Sequence, residues 1–263
     1  MNPTLFHRSP CWRALIPALA LAVAPAARAL IIGPYTPDAN TLHLWHFNES
    51  AVPVVDSAST GGTNLNVLGG GATLNNASFA GFGTALSTLD GGQANTNTAA
   101  RDAYLSCLTL VNSTADNVST TFADPTTGAF TIEAVVYIGF DPALNLGTVA
   151  NGGNGRSTQC QIIAGEDEAN AGRLFQFRID PIGTANPLNL SEPMLEFINL
   201  RQAASGQVQN MLVPIPTSGD NAIASNNWYH VAVVYNGNQA TTDNLKFYWT
   251  LMDPSRVLAN QIG

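Results

Sequence analysis

The chain has 263 residues, 45% of them hydrophobic and only 11% charged, with 18 acidic residues against 10 basic ones and a formal net charge of −8. That charged fraction lies well under the roughly 25% usual for globular domains, and the acidic balance argues against nucleic acid, whose binding leans on Lys and Arg contacts to phosphate. Beyond the N-terminus no stretch approaches the ~18 unbroken apolar residues of a membrane-spanning helix, so no membrane span is expected in the mature chain.

Residues 1–29 read as an export signal. His7, Arg8 and Arg13 form a positive start, the run 14–24 an apolar core too short for a bilayer, and Ala27-Arg28-Ala29 the small-x-small pattern at which such segments are cut. Cleavage after Ala29 removes three arginines and leaves 7 basic residues against 18 acidic ones, a formal charge of −11. The product is expected in the periplasm, at the cell surface or outside the cell.

Residues 30–41 form a short lead-in. From Leu42 onward, short runs of alternating apolar residues are separated by Gly, Asn, Asp and Pro, which is how many short strands read. The runs are 42–47, 104–111, 130–138, 174–179, 194–200, 228–235 and 245–251, with no amphipathic helix between them. In 130–138, the residues Phe130, Ile132, Ala134, Val136 and Ile138 share one face and Thr131, Glu133 and Tyr137 the other. Long polar loops are expected at 91–101, 112–127, 145–157 and 202–210, where binding residues tend to gather. The pattern predicts a single all-β domain over 42–263, since sandwiches can run to ~250 residues as one unit.

Loss of Cys11 with the signal leaves Cys107 and Cys160. In an oxidising compartment they are expected to pair, closing a loop of roughly 54 residues worth about 4 kcal/mol by loop entropy. The alternative is two separate buried thiols.

The order of motifs resembles the laminin-G-like branch of the concanavalin A-like jelly rolls. Leu44-Trp45-His46-Phe47-Asn48-Glu49 followed by Val55-Asp56-Ser57 is similar to that family's first strand and its acidic loop. Phe82-Gly83-Thr84-Ala85-Leu86 with Leu89-Asp90-Gly91 resembles its second block, and Phe130-Thr131-Ile132-Glu133-Ala134 its central strand. Asn227-Trp228-Tyr229-His230-Val231-Ala232-Val233-Val234-Tyr235 is the strongest match. The resemblance implies an antiparallel two-sheet jelly-roll sandwich with loops at its rim. Calcium is the cation it implies, at Asp56 with Asn64, Asp90 or the carbonyls of the 59–62 turn, although Asp56 could equally cap its own turn. It also implies further strands after 245–251, so the jelly roll is expected to be truncated at its C-terminal end, where Gly263 stands.

Catalysis on such a fold would use two carboxylates across a glycosidic bond. The acidic cluster Glu166-Asp167-Glu168 offers Glu166 and Glu168, but Gly165, Asn170 and Gly172 around it read as a turn. Glu133 and Glu196 each stand alone on a strand, and Arg173, Gln176 and Arg178 read as separate residues rather than as a lyase centre. No HExxH, HxH or CxxC spacing points to zinc. Among aromatic residues, Trp45 and Trp228 read as core, whereas Tyr248, opposite Phe247 and Trp249, is the candidate for sugar contact. The leading expectation is an exported, non-catalytic module that binds carbohydrate or a surface protein through its rim loops. A glycan-cleaving enzyme, whether glycoside hydrolase or polysaccharide lyase, and a structural cell-surface protein are the alternatives.

Overall fold

The computed structural model describes residues 31, 33–58, 63–69, 71–88, 104–106, 126–139, 160–166, 173–182, 190–199, 209–238 and 240–263. Among them there is no helix, and the paired strands are all antiparallel. β1 (Val67–Gly69) pairs with β4 (Tyr104–Ser106), and β2 (Thr73–Ala77) with β3 (Thr84–Ser87). β5 (Phe130–Ile138), β10 (Asn227–Tyr235) and β11 (Leu245–Leu251) form a sheet with β10 in the centre. β6 (Cys160–Glu166), β7 (Arg173–Asp180), β8 (Met194–Asn199) and β9 (Gln209–Pro214) form a four-stranded meander.

Period-two alternation explains how these two sheets meet. In the three-stranded sheet Val231 stands opposite both Ala134 and Trp249, so Ile132, Val136, Tyr229, Val233 and Phe247 share their face. In the meander Phe177 stands opposite Phe197, and Phe175, Ile179 and Leu195 join them. These residues build one core, in which the Phe130 ring of β5 lies 5.3 Å from that of Phe197 in β8. A register shift in β6 between Gln161 and Ile163 lets successive residues Ile162 and Ile163 both pack against that core.

The loop after β9 closes one end of the core with its own polar atoms. Tyr229 and Trp249 stack at 4.5 Å, the Tyr229 hydroxyl donates to Ala222 O, and Trp249 Nε1 donates to Asn221 O. The Asn221 amide oxygen accepts from Leu251 N and from Arg256 Nη1, each at 3.0 Å. Beyond this turn, residues 260–263 run back along β11, with Ile262 N donating to Phe247 O and Trp249 N to Asn260 O. At the far end of β10, Gly237 has φ +80° and lies so close to the Thr127 carbonyl that a Cβ would collide with backbone.

Several sequence expectations need correction. Residues 42–47 form no strand: Trp45 makes only an isolated bridge to Asp56, and Phe47 turns the chain at φ 56°. The polar segment expected to run to Asn210 as a loop already enters β9 at Gln209, because its pairing with β8 is set by Met211 and Val213 packing inward. Gly165 and Glu166, expected in a turn, end β6 instead, since β7 supplies a partner strand that composition does not reveal.

Candidate functional site

Three polar constellations stand out, on three different surfaces. The first is the Asp56 loop. One carboxylate oxygen of Asp56 accepts from Leu44 N at 2.9 Å and Ala58 N at 3.0 Å, the other from Thr63 N at 2.9 Å and His43 Nδ1 at 2.6 Å. The carboxylate is fully covered. Burial would raise its pKa, but the bonds from Leu44, Ala58, His43 and Thr63 together outweigh that and hold it below the usual range. Asn64 belongs to the same knot, its side-chain oxygen accepting from Asp56 N at 3.1 Å, whereas Asp90 lies outside the described residues. Calcium needs oxygens with free lone pairs, while here both Asp56 oxygens are occupied by N–H groups; this donor set fits an Asp that ties its own loop, not a cation cage. Among the described residues no group of three or more His, Cys, Asp or Glu side chains is arranged to hold a metal.

The second constellation lies on the outer face of the three-stranded sheet. Trp228 of β10 stands directly opposite Tyr137 of β5, and their rings sit 5.2 Å apart at 53°. Tyr137 is 41% exposed and Trp228 half-buried. Asn226, just before β10, takes a left-handed φ of 61°, which Asn tolerates, and donates its N–H to Ile138 O. That bend brings its side-chain oxygen back over β5 to accept the Tyr137 hydroxyl at 2.9 Å. The result is an exposed aromatic ledge with a hydroxyl and a carboxamide at its rim. Comparison with family models, with curated proteins and with solved structures found no match to this chain.

The third constellation is buried on the outer face of the meander. Arg178 Nε donates to Glu196 Oε2 at 2.5 Å and lies 3.2 Å from Asp180 Oδ1, while its Nη1 donates to Gln176 Oε1 at 2.9 Å. The Arg178 side chain is 3% exposed and both carboxylates are completely covered. Gln176 and Arg178, expected to stand apart, therefore belong to one cluster, and Glu196, the one acidic residue of β8, is tied to it across the sheet. Alternation about Phe175, Phe177 and Ile179 would have put Gln176, Arg178 and Asp180 on one face; the register that sets Glu196 opposite Arg178 carried no sequence signal.

The remaining expected site residues are scattered. Tyr248 lies on the same outer face as Trp228, beside the returning chain at Gln261 and only partly exposed. Trp228 belongs to this outer face rather than to the core; Tyr229, Val231 and Val233 are the inward residues of β10, and the apolar run concealed which parity faced in. Glu166 ends β6, and Glu168 lies outside the described residues, so no carboxylate pair is built there from described side chains. Cys160 carries a free thiol and packs against the core, while Cys107 lies outside the described residues. Burial first, and then the charge of Asp180, push the Cys160 thiol up to about 12. No helix among the described residues is long and apolar enough to cross a membrane.

Proposed function

We propose that this chain is an exported, non-catalytic binding module with a laminin-G-like, concanavalin A-like jelly roll, and that it holds carbohydrate against the Tyr137–Trp228 ledge. The observation that carries this reading is the exposed cross-strand aromatic pair with its hydroxyl oriented by Asn226. An aromatic face offers apolar area to the C–H face of a sugar ring, and the adjacent hydroxyl and amide can exchange hydrogen bonds with ring hydroxyls. Two antiparallel sheets around one core are compatible with the jelly roll, and the Ala27-Arg28-Ala29 pattern supports export. Asp180 and Glu196 are adjacent carboxylates buried with an arginine, which supports the non-catalytic part for this pair alone.

A glycan array with the mature chain tests the reading, repeated with Tyr137→Ala and Trp228→Ala. Binding to particular glycans that both variants abolish, with melting still cooperative, is the expected result. Binding unchanged in both variants would remove the ledge from the argument. Absence of glycan binding alongside capture of a surface protein would favour a protein ligand.

A further inference from the structure

We infer that Asp180 and Glu196 share a single proton, so that the stability of the folded meander is proton-coupled: it is greatest in mild acid and falls as the pH rises. The argument starts from counting charges. Two carboxylates and one guanidinium occupy a patch in which all three side chains are nearly or wholly covered. A buried charge without a partner is strongly disfavoured, and an added proton is the least costly way to remove it.

The hydrogen-bond inventory leads to the same place. Glu196 Oε2 is taken by Arg178 Nε, but Glu196 Oε1, both Asp180 oxygens and one donor, Arg178 Nη2, are buried with no hydrogen-bond partner, Asp180 Oδ1 meeting Arg178 only as an ion pair at 3.2 Å. Two ionised carboxylates are acceptors only, and neither can satisfy the other. One proton on Asp180 makes it a donor to Glu196, satisfying an atom of each residue at once. Arg178 keeps its ion pair with Glu196 and its bond to Gln176. Burial, then the hydrogen bond and charge of Glu196, raise Asp180 to about 8 against the opposing pull of Arg178.

No described neighbour supplies a second cation. On β6, Gln161 stands opposite Arg178, and the Cys160 thiol stays neutral to about 12. On β8, Ile198 stands beside Glu196, and β9 offers Asn210 and Leu212 opposite Ile198 and Glu196. Asp180 therefore holds its proton in the folded state and loses it on unfolding, where it titrates near the ordinary 3.8. Between about 4 and about 8 the folded state binds one more proton than the unfolded one, so the unfolding constant rises about tenfold per pH unit and levels off above 8.

Urea unfolding at pH 5, 6, 7 and 8 tests this on wild type, Asp180→Asn and Glu196→Gln. The difference between wild type and each variant cancels every other titrating group. Asp180→Asn keeps a neutral donor toward Glu196, and Glu196→Gln leaves one carboxylate for one guanidinium, so both are expected to lose the tenfold-per-unit dependence. Carboxyl carbon NMR of wild type should show one aspartate titrating near 8 that is missing in Asp180→Asn. Parallel pH curves for wild type and whichever variant folds, or no aspartate titrating above the ordinary range, would overturn the proposal.

Discussion

Replacing Asp56 by Ala removes the common acceptor of four N–H groups. His43 can turn its ring toward water, but Leu44 N, Ala58 N and Thr63 N are backbone donors fixed by the loop. A buried donor left unpaired costs about 1–3 kcal/mol. Water will reach some of this half-buried loop, so we expect a loss of about 3–5 kcal/mol, against the ~5–15 kcal/mol that stabilises a typical domain. Asp56→Asn keeps one oxygen for Leu44 and Ala58 but turns an NH2 toward Thr63 N, and should cost about half as much. The readout is the urea midpoint with the slope unchanged. Because the folded carboxylate is held below 3.8, its contribution is complete above that pH and is lost as the pH falls through its folded value. An Asp56→Ala protein within about 0.5 kcal/mol of wild type, or a wild-type melting temperature that falls in EDTA and recovers with calcium, would refute this account of the loop.

Three further outcomes follow. Trp249→Ala should cost about 3–5 kcal/mol in urea unfolding, because it empties a fully buried site and strands Asn221 O. Gly237→Ala should lower the melting temperature by several degrees, combining a strained φ of +80° with a clash against the Thr127 carbonyl, whereas Gly71→Ala, also at positive φ but with open space around it, should cost less. Cys160 should resist alkylation in the native protein at pH 8, its thiol being pushed to about 12, and react once unfolded; inertness in both states, reversed by a reductant, would instead establish the bridge to Cys107.

The strands that could be read from sequence are those with one apolar parity and enough length. β5, β7, β8, β10 and β11 were visible because Phe130 to Ile138, or Phe175, Phe177 and Ile179, repeat every second residue. β1 to β3 are short, and in β2 exposed Thr73, Asn75 and Ala77 alternate with partly buried Leu74 and Asn76, so no apolar stripe announces it. β6 was hidden because the register shift between Gln161 and Ile163 breaks the alternation, leaving Ile162 and Ile163 adjacent on the core side. The ledge was half-legible. Tyr137 falls on the outer parity of β5, but Trp228 lies among apolar residues of both parities, and only the register with Tyr137 shows which way it faces. The buried cluster was legible residue by residue and not as a set, since pairing between β7 and β8 is a property of two segments rather than of either.

Asn221 joins the loop after β9 to the distant segment 249–256, its side-chain amide accepting from Leu251 and Arg256 while its backbone carbonyl takes the Trp249 indole. None of these bonds can form until β11 has docked on β10, and the loop gains nothing from them beforehand. Contacts of such sequence separation require the intervening chain to be ordered first. The lid over the core's end should therefore close late in folding, and Asn221→Ala should speed unfolding while leaving the folding rate nearly unchanged.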